Sequence, residues 1–466
     1  MGDKLWGGRF VGRTDPLMER FSSSFSFDRR LWAADIAATA AHVRVLARGG
    51  YLNQVEAQKI LKALEEIKGE IASGRLPLEG EWEDIHSFLL ARLEKKVGRP
   101  ARKVHAGRSR NDLIALDLRL YLREKTEEIT GLLADLQSAL VLKGEETADV
   151  IIPAYTHLQR AQPVSFAHHL LAYVEMLERD KERLGDARKR LEVLPSGAAA
   201  VAGTSLDLDL KLMARLLGFR RLAANSMDAV SDRDFVLEIM SALALAGLHF
   251  SRLAEELVLW SSAEFSFIRL GEAFCTGSSY LPQKRNPDAA ELVRGKTGRL
   301  LGNFTALFTV IKGLPLAYNR DLQEDKQPLF DTVDTVSDCA AILIRLVESM
   351  ELNRPRLKRL EEEDYGAAPE LAEFLVKKGR PFQEAHRIVG RMVLKALESG
   401  RRLRGMSVEE MQEFCPDFDA AAFKLISAGH RLDTRVTLPA SHPRRIKANL
   451  RRWKKTLGAG RRGKKK

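Results

Sequence analysis

Residues 114–140 read IALDLRLYLREKTEEITGLLADLQSAL, and the placement of their apolar side chains decides the fold. Ile114, Leu118, Tyr121, Leu122, Ile129, Leu132, Leu133, Leu136 and Leu140 recur at the spacing of one helix face. A run of about thirty residues makes a helix of roughly 45 Å. Similar patterns run from Pro163 to about Leu194, Asp228 to Phe265, Asp288 to about Lys312, and Asp325 to about Leu352. Strand-like alternation is missing between them, so the expected class is all-α, with a long central helical bundle. Ala242, Ala244, Ala246 and Gly247 let neighbouring helices come close, which makes the Asp228–Phe265 segment central. Helices this long expose more apolar surface than one bundle covers, and association into an oligomer is expected.

Two smaller, mainly helical domains flank that bundle. Residues 1–107 mix short helices and turns: a glycine-containing arm at Trp6-Gly7-Gly8-Arg9-Phe10, a polar and aromatic loop from Phe21 to Asp28, and helical periodicity from Gln54 to Ala72. Glu83-Asp84-Ile85-His86 opens a further helix with acidic residues at its favourable end. Residues 108–355 form the bundle and oligomerisation core. Beyond Pro355 the helices shorten, and Gly379-Arg380-Pro381 and Pro416 punctuate a small helical domain at 356–443.

The chain has 466 residues, 45% hydrophobic and 30% charged, as in globular proteins and unlike disordered ones. The apolar stretch Ile239–Phe250 falls short of the ~20 residues of a membrane span. The first residues lack the apolar centre of a secretory signal, and Cys275, Cys339 and Cys415 lie far apart without metal-ligand spacing. A cytoplasmic location is expected. The net charge of +12 resides in residues 444–466, where twelve Lys and Arg meet no acidic residue; residues 1–443 are balanced. That basic tail, glycine-containing toward its end, is expected to be mobile there and to contact nucleic acid only weakly.

Four loops carry the chemistry. In Thr276–Asp288, Gly277 and Pro282 impose a turn, Asn286 is a candidate N-cap, and Pro287 suits the first helical position. Ser278, Ser279, Lys284, Asn286 and free backbone N–H groups could face one anionic ligand there. Val104–Asp112 sets Arg108 and Arg110 around Ser109, either as a clamp for a carboxylate or as a capped helix start. Ala154–Gln162 places His157 among polar neighbours, and His exchanges protons near neutral pH. Leu316–Lys326 is the fourth.

Together these segments resemble argininosuccinate lyases. Gly277–Pro287 is similar to the GSSxMPxKxNP signature of the fumarase/aspartase superfamily, His105–Asp112 to the family's HTGRSRND, and Tyr155–Pro163 to its YTHLQRAQP. Ser226–Asp234, Leu314–Lys326 and Trp6–Phe10 extend the likeness over nearly the whole chain except the tail. Ala106, Leu113 and Leu281 depart from the family's usual Thr, Gln and Met. The resemblance implies a fumarase/aspartase-like fold and reversible cleavage of argininosuccinate to arginine and fumarate, the last step of arginine biosynthesis, without metal or organic cofactor. It implies a homotetramer whose active sites draw on three chains. By the same resemblance Ser278 is the general base, Lys284 and Asn286 stabilise the carbanion, and His157 acts on the departing guanidinium with Glu291 holding its imidazole. Ser24, Asp28, Asp84, Ser109, Arg110, Asn111, Thr156, Arg233, Tyr318, Gln323 and Lys326 would bind substrate. Three carboxylates and a guanidinium in one molecule call for Arg and Lys on one side and Asp on the other. The competing readings are another fumarate-releasing lyase, such as one acting on adenylosuccinate, and an inactive crystallin-like relative.

Overall fold

The computed structural model describes residues 14–362, 366–426 and 428–463. It is 69% helix and 5% strand, an all-α fold. Among the described residues, five helices have 24 residues or more: Arg110–Glu146, Phe166–Leu191, Asp234–Ser261, Asp288–Ile311 and Lys326–Ser349. The first reaches 37 residues because it starts earlier and runs on past Leu140. Asp112 in its first turn accepts the backbone N–H of Ser109 at 2.9 Å, satisfying an orphan donor at the helix start.

Gln54–Ala72 forms as its periodicity predicts, started by a capping box between Asn53 and Glu56. Asp84 caps Ile85–Val97 in the same way with Ser87. The Trp6–Phe10 arm lies outside the described residues.

Three of the expected long segments differ from their sequence reading. Pro163 does not start a helix. It lies in an antiparallel hairpin, Ile151–Thr156 with Gln159–Ser165, directly opposite Pro153, and the helix begins at Phe166. A two-stranded ribbon has two free edges, so a residue without an N–H costs it no ladder bond. The Asp228–Phe265 pattern is two helices, Ser226–Ser231 and Asp234–Ser261, because the Asp232 carboxylate turns back to accept the N–H of Asp234 at 2.8 Å and recaps the chain. The last segment begins as a tight 3₁₀ turn, Arg320–Asp325, before the α-helix from Lys326.

Asp234–Ser261 is, by length and composition, long and apolar enough to cross a membrane, with a mean hydropathy of 1.4 over its most apolar window. The uninterrupted stretch Ile239–Phe250 understated it. Of that window 56% is buried inside the chain, as in the core helix of a globular protein.

Contacts divide the chain into two compact units. The first comprises Met1–Ile129, Glu182–Ala244 and Arg299–Thr335, the second Thr130–Lys181, Leu245–Gly298 and Val336–Lys466. In the first, Ala38, Ala41, Val45, Leu113, Leu116, Met213 and Phe219 share one apolar cluster. In the second, Leu371, Leu375, Ile388, Met392, Met411 and Phe418 form the core of the short C-terminal helices. The basic segment also belongs there. Pro443–Gly463 is helical, and Ile446, Leu450, Trp453 and Leu457, spaced four, three and four apart, form a buried stripe. Lys454 and Arg452 reach Glu145 and Glu175 at 2.7 and 2.9 Å. The segment is therefore not a solvated charge run throughout; its last residues, 464–466, lie outside the described residues.

Candidate active site

The second unit carries the loop with Ser278. Thr276 and Asn286 exchange backbone hydrogen bonds of 3.2 and 2.8 Å in an isolated antiparallel bridge. Asn286 is therefore extended and does not cap the helix; its side-chain amide donates instead to the Gly277 carbonyl at 3.3 Å. The helix starts at Asp288, whose carboxylate accepts the Thr276 N–H at 3.2 Å and the Thr276 hydroxyl. This clasp ties the two ends of the loop together.

Within the loop the half-buried Ser278 Oγ accepts the backbone N–H groups of Tyr280 and Leu281, at 3.2 and 3.0 Å. Two amide dipoles thus point at one hydroxyl oxygen. The Lys284 N–H closes the turn onto the Leu281 carbonyl at 3.0 Å, and its side chain is exposed. Glu291 lies 3.9 Å from Arg294, which also pairs with Glu255. Among the described residues no hydrogen bond or ion pair joins Glu291 to His157.

His157 occupies the tip of the hairpin, not an irregular loop. His157 and Leu158 are the two turn residues between the paired Thr156 and Gln159, with φ of 55° and 56°. Positive φ at both central positions is the geometry that continues the twist of a hairpin, and Asn-Gly adopts it more readily than His-Leu. Below the tip, Tyr155 packs its ring 5.6 Å from Phe265 and 6.2 Å from Phe267. Thr156, His157 and Leu158 are exposed.

The first unit gathers most of the other candidates. Ser24 donates to the Asp28 carboxylate at 2.5 Å, and the Ile85 N–H reaches the other Asp28 oxygen at 3.0 Å. Burial pushes the Asp28 carboxyl up to about 7; the Ser24 hydrogen bond works against this and the nearby Asp84 adds to it. Arg110 lies 3.0 Å from Glu83 and 3.3 Å from Asp84. Gln323 donates to the Ser22 carbonyl at 3.2 Å. Ser109 accepts the Asn111 N–H at 3.2 Å, and the Asn111 side chain donates to the Ala200 carbonyl at 3.1 Å. Burial, with Asp325 close by, raises the Tyr318 phenol.

Arg233 and Lys326 meet at Asp325, which the sequence reading missed. The Arg233 Nε is 2.5 Å and the Lys326 Nζ 2.7 Å from its two oxygens, and all three side chains are almost wholly buried. Against the cost of burial, Lys326 and then Arg233 hold the Asp325 carboxyl below the usual range. The Arg233 Nη2 is buried without a hydrogen-bond partner, leaving one donor of the fork uncommitted. No group of three or more His, Cys, Asp or Glu able to hold a metal occurs among the described residues.

Residues 8–302 match the family model described as lyase, and residues 365–432 the one described as argininosuccinate lyase C-terminal. The argininosuccinate lyase of Moorella thermoacetica is 50% identical over 91% of this chain and 92% of its own. That of Pelotomaculum thermopropionicum is 49% identical over 93% and 94%. Among solved structures, EDDS lyase in complex with formate superposes with a TM-score of 0.83 at 26% identity, covering 97% of this chain and 92% of that one. The class II fumarase of Schistosoma mansoni shares the fold, with a TM-score of 0.75 at 19% identity over 89% and 92% of the two chains. Fold and matches together define a helical lyase of the fumarase/aspartase class. Within that class the chain belongs to the argininosuccinate lyase family.

Proposed function

We propose that this lyase cleaves argininosuccinate to L-arginine and fumarate, and catalyses the reverse addition, with Ser278 as the base. The observation that carries the reading is the pair of N–H groups, from Tyr280 and Leu281, aimed at Ser278 Oγ. A serine hydroxyl abstracts a carbon-bound proton only if its alkoxide is favoured, and two fixed dipoles in a turn do that without reorganisation. The electron pair left on carbon spreads into the adjacent carboxylate, forming an aci-carboxylate. Lys284 and Asn286 lie on the same loop to stabilise it. Collapse of that charge forms the C=C bond of fumarate and breaks the C–N bond on the opposite face. His157 delivers a proton to the departing guanidino nitrogen, directly or through water. Glu291 is its candidate support, although in this chain Glu291 lies beside Arg294.

Ser24, Asp28, Asp84, Ser109, Arg110, Asn111, Thr156, Arg233, Tyr318, Gln323 and Lys326 are the proposed substrate contacts. Cations suit the three carboxylates, and Asp28 and Asp84 suit the guanidinium. The chain is proposed to work in the cytoplasm as a homotetramer with active sites shared among three chains. An exposed Lys284, a Tyr280 that is 87% exposed and an exposed hairpin tip are consistent with neighbouring chains completing each site.

The test is fumarate release followed by ultraviolet absorbance, for the wild type and for Ser278→Ala. The wild type should turn over argininosuccinate and leave adenylosuccinate untouched. The variant should keep its oligomer and lose at least about a thousandfold in kcat. Unchanged turnover in the variant would remove Ser278 as the base, and an inert wild type would favour a crystallin-like role.

A further inference from the structure

We propose that Arg435 is a positioning residue for His157, acting through Gln162 on the hairpin that ends in the His157–Leu158 turn. The inference rests on the reading of His157 as the residue on the acid side of the reaction.

A turn made of two non-glycine residues at positive φ stores strain and persists only where the surroundings over-determine it. His157 and Leu158 are such residues. The hairpin itself does not hold them firmly, since its register shifts between Pro153 and Tyr155, so that the ladder is interrupted just below the tip. A bulge of this kind frees the strand to twist and re-aims the side chains beyond it. Something outside the ladder has to fix that twist.

Opposite the interruption lies Gln162. In the amide orientation that satisfies both groups, assigned by hydrogen-bond chemistry, its carboxamide oxygen faces the Arg435 guanidinium at 3.1 and 3.0 Å from Nη1 and Nη2 and accepts from both. The guanidinium is fixed in turn by an ion pair from Nη2 to Glu370, whose side chain is 2% exposed and lies in the first turn of the helix Ala368–Lys377. A planar fork clamped by a buried carboxylate can present its donors in only one direction. A second tie runs parallel to the first: the Ser165 N–H donates to the Ser441 hydroxyl at 2.9 Å. Residues 435–441 thus brace the second strand from the side, while Tyr155 anchors the first on Phe265 and Phe267. All of these residues lie in the second unit. The orientation of His157 is set by a residue far along the chain that never meets the substrate.

The experiment measures kcat, KM and Tm for Gln162→Leu, Arg435→Lys, Arg435→Gln, Glu370→Gln/Arg435→Gln and His157→Asn. Misplacement of a proton donor costs turnover more than binding. Gln162→Leu should therefore lower kcat by about tenfold with KM changed by less than about twofold. Arg435→Lys, a point charge in place of a fork, should give an intermediate kcat. Arg435→Gln should lower Tm as well, because Glu370 is left unpaired, and adding Glu370→Gln should restore Tm but not kcat. Full kcat in Gln162→Leu, or kcat recovering together with Tm in the double variant, would overturn the proposal and leave Arg435 as a structural partner of Glu370. If Arg435→Gln does not fold, Gln162→Leu and Arg435→Lys decide between the two roles. An active His157→Asn would remove the reading of His157 and the inference with it. An inactive His157→Asn beside a fully active Gln162→Leu would remove the inference alone.

Discussion

Thr276 and Asn286 face each other across an isolated antiparallel bridge, and the Thr276 hydroxyl also meets the Asp288 carboxylate at the start of the next helix. One threonine therefore holds both ends of the loop that presents Ser278 and Lys284. In Thr276→Val the backbone bridge remains and the side-chain tie is lost. Turnover should fall by about three- to tenfold while Tm moves little, because the loop is exposed and contributes little buried area. Steady-state rates beside a thermal melt check this; a wild-type kcat would show that the hydroxyl is dispensable.

The buried Asp28 gives stability a pH dependence with a definite sign. Its carboxyl sits at about 7 in the folded chain against an ordinary value of 3.8, so the folded state binds more protons between those values. The contribution of this group is complete below about pH 4 and is lost as pH rises through about 7. Asp28→Asn cannot ionise and keeps an oxygen for the Ile85 N–H. Its stability relative to wild type should rise steadily from pH 4 to 7 in urea titrations, and a flat difference would show that Asp28 does not titrate in that window.

Leu158 is 70% exposed and stands at φ 56°, so its side chain returns little for the strain of its backbone. Asn tolerates the left-handed region without the entropy penalty of Gly. Leu158→Asn should stabilise the folded chain by about 0.5–1 kcal/mol in chemical denaturation. A loss of stability would mean that Leu158 makes an apolar contact in the assembled protein.

The Arg233–Asp325–Lys326 group has the opposite character. Its side chains are excluded from water, and Asp325 forms the direct ion pair with both cations. Removing it in Asp325→Leu leaves both cations buried without their ion-pair partner, at a cost of about 3–5 kcal/mol. Asp325→Asn, which keeps the hydrogen-bonding shape without the charge, should lose less. Equal midpoints for Asp325→Leu and wild type would mean that Arg233 and Lys326 find water on their own.

The long helices could be read from Ile114–Leu140 and its counterparts because burial along a helix repeats over many residues, and each repeat reinforces the signal. The turn holding Ser278 and Lys284 could be read because glycine, proline and hydroxyl residues crowd one short loop, whereas the roles proposed for the two residues come from the family likeness. The hairpin could not. Its turn lacks the Asn or Gly that announces positive φ, and Pro163 fits a helix start equally well by composition. Asp325 was missed for another reason: its partner Arg233 lies 92 residues away, and nothing local in either segment reports an ion pair closed by tertiary folding. Asn286 shows the same limit on a smaller scale, since a good cap by residue type was claimed first by a strand-like bridge to Thr276.

The helix Pro443–Gly463 has a practical corollary for handling the protein. Because Ile446, Leu450, Trp453 and Leu457 are seated in the second unit, the carboxyl end up to there is a structural wall, and trimming the chain after Pro443 would strip apolar surface bare. A chain shortened to remove positive charge would be expected to aggregate, and its behaviour toward anions would then report on unfolding. Charge-reversing changes at the exposed Arg444, Lys447 and Arg451 leave the seated stripe untouched and separate the two effects.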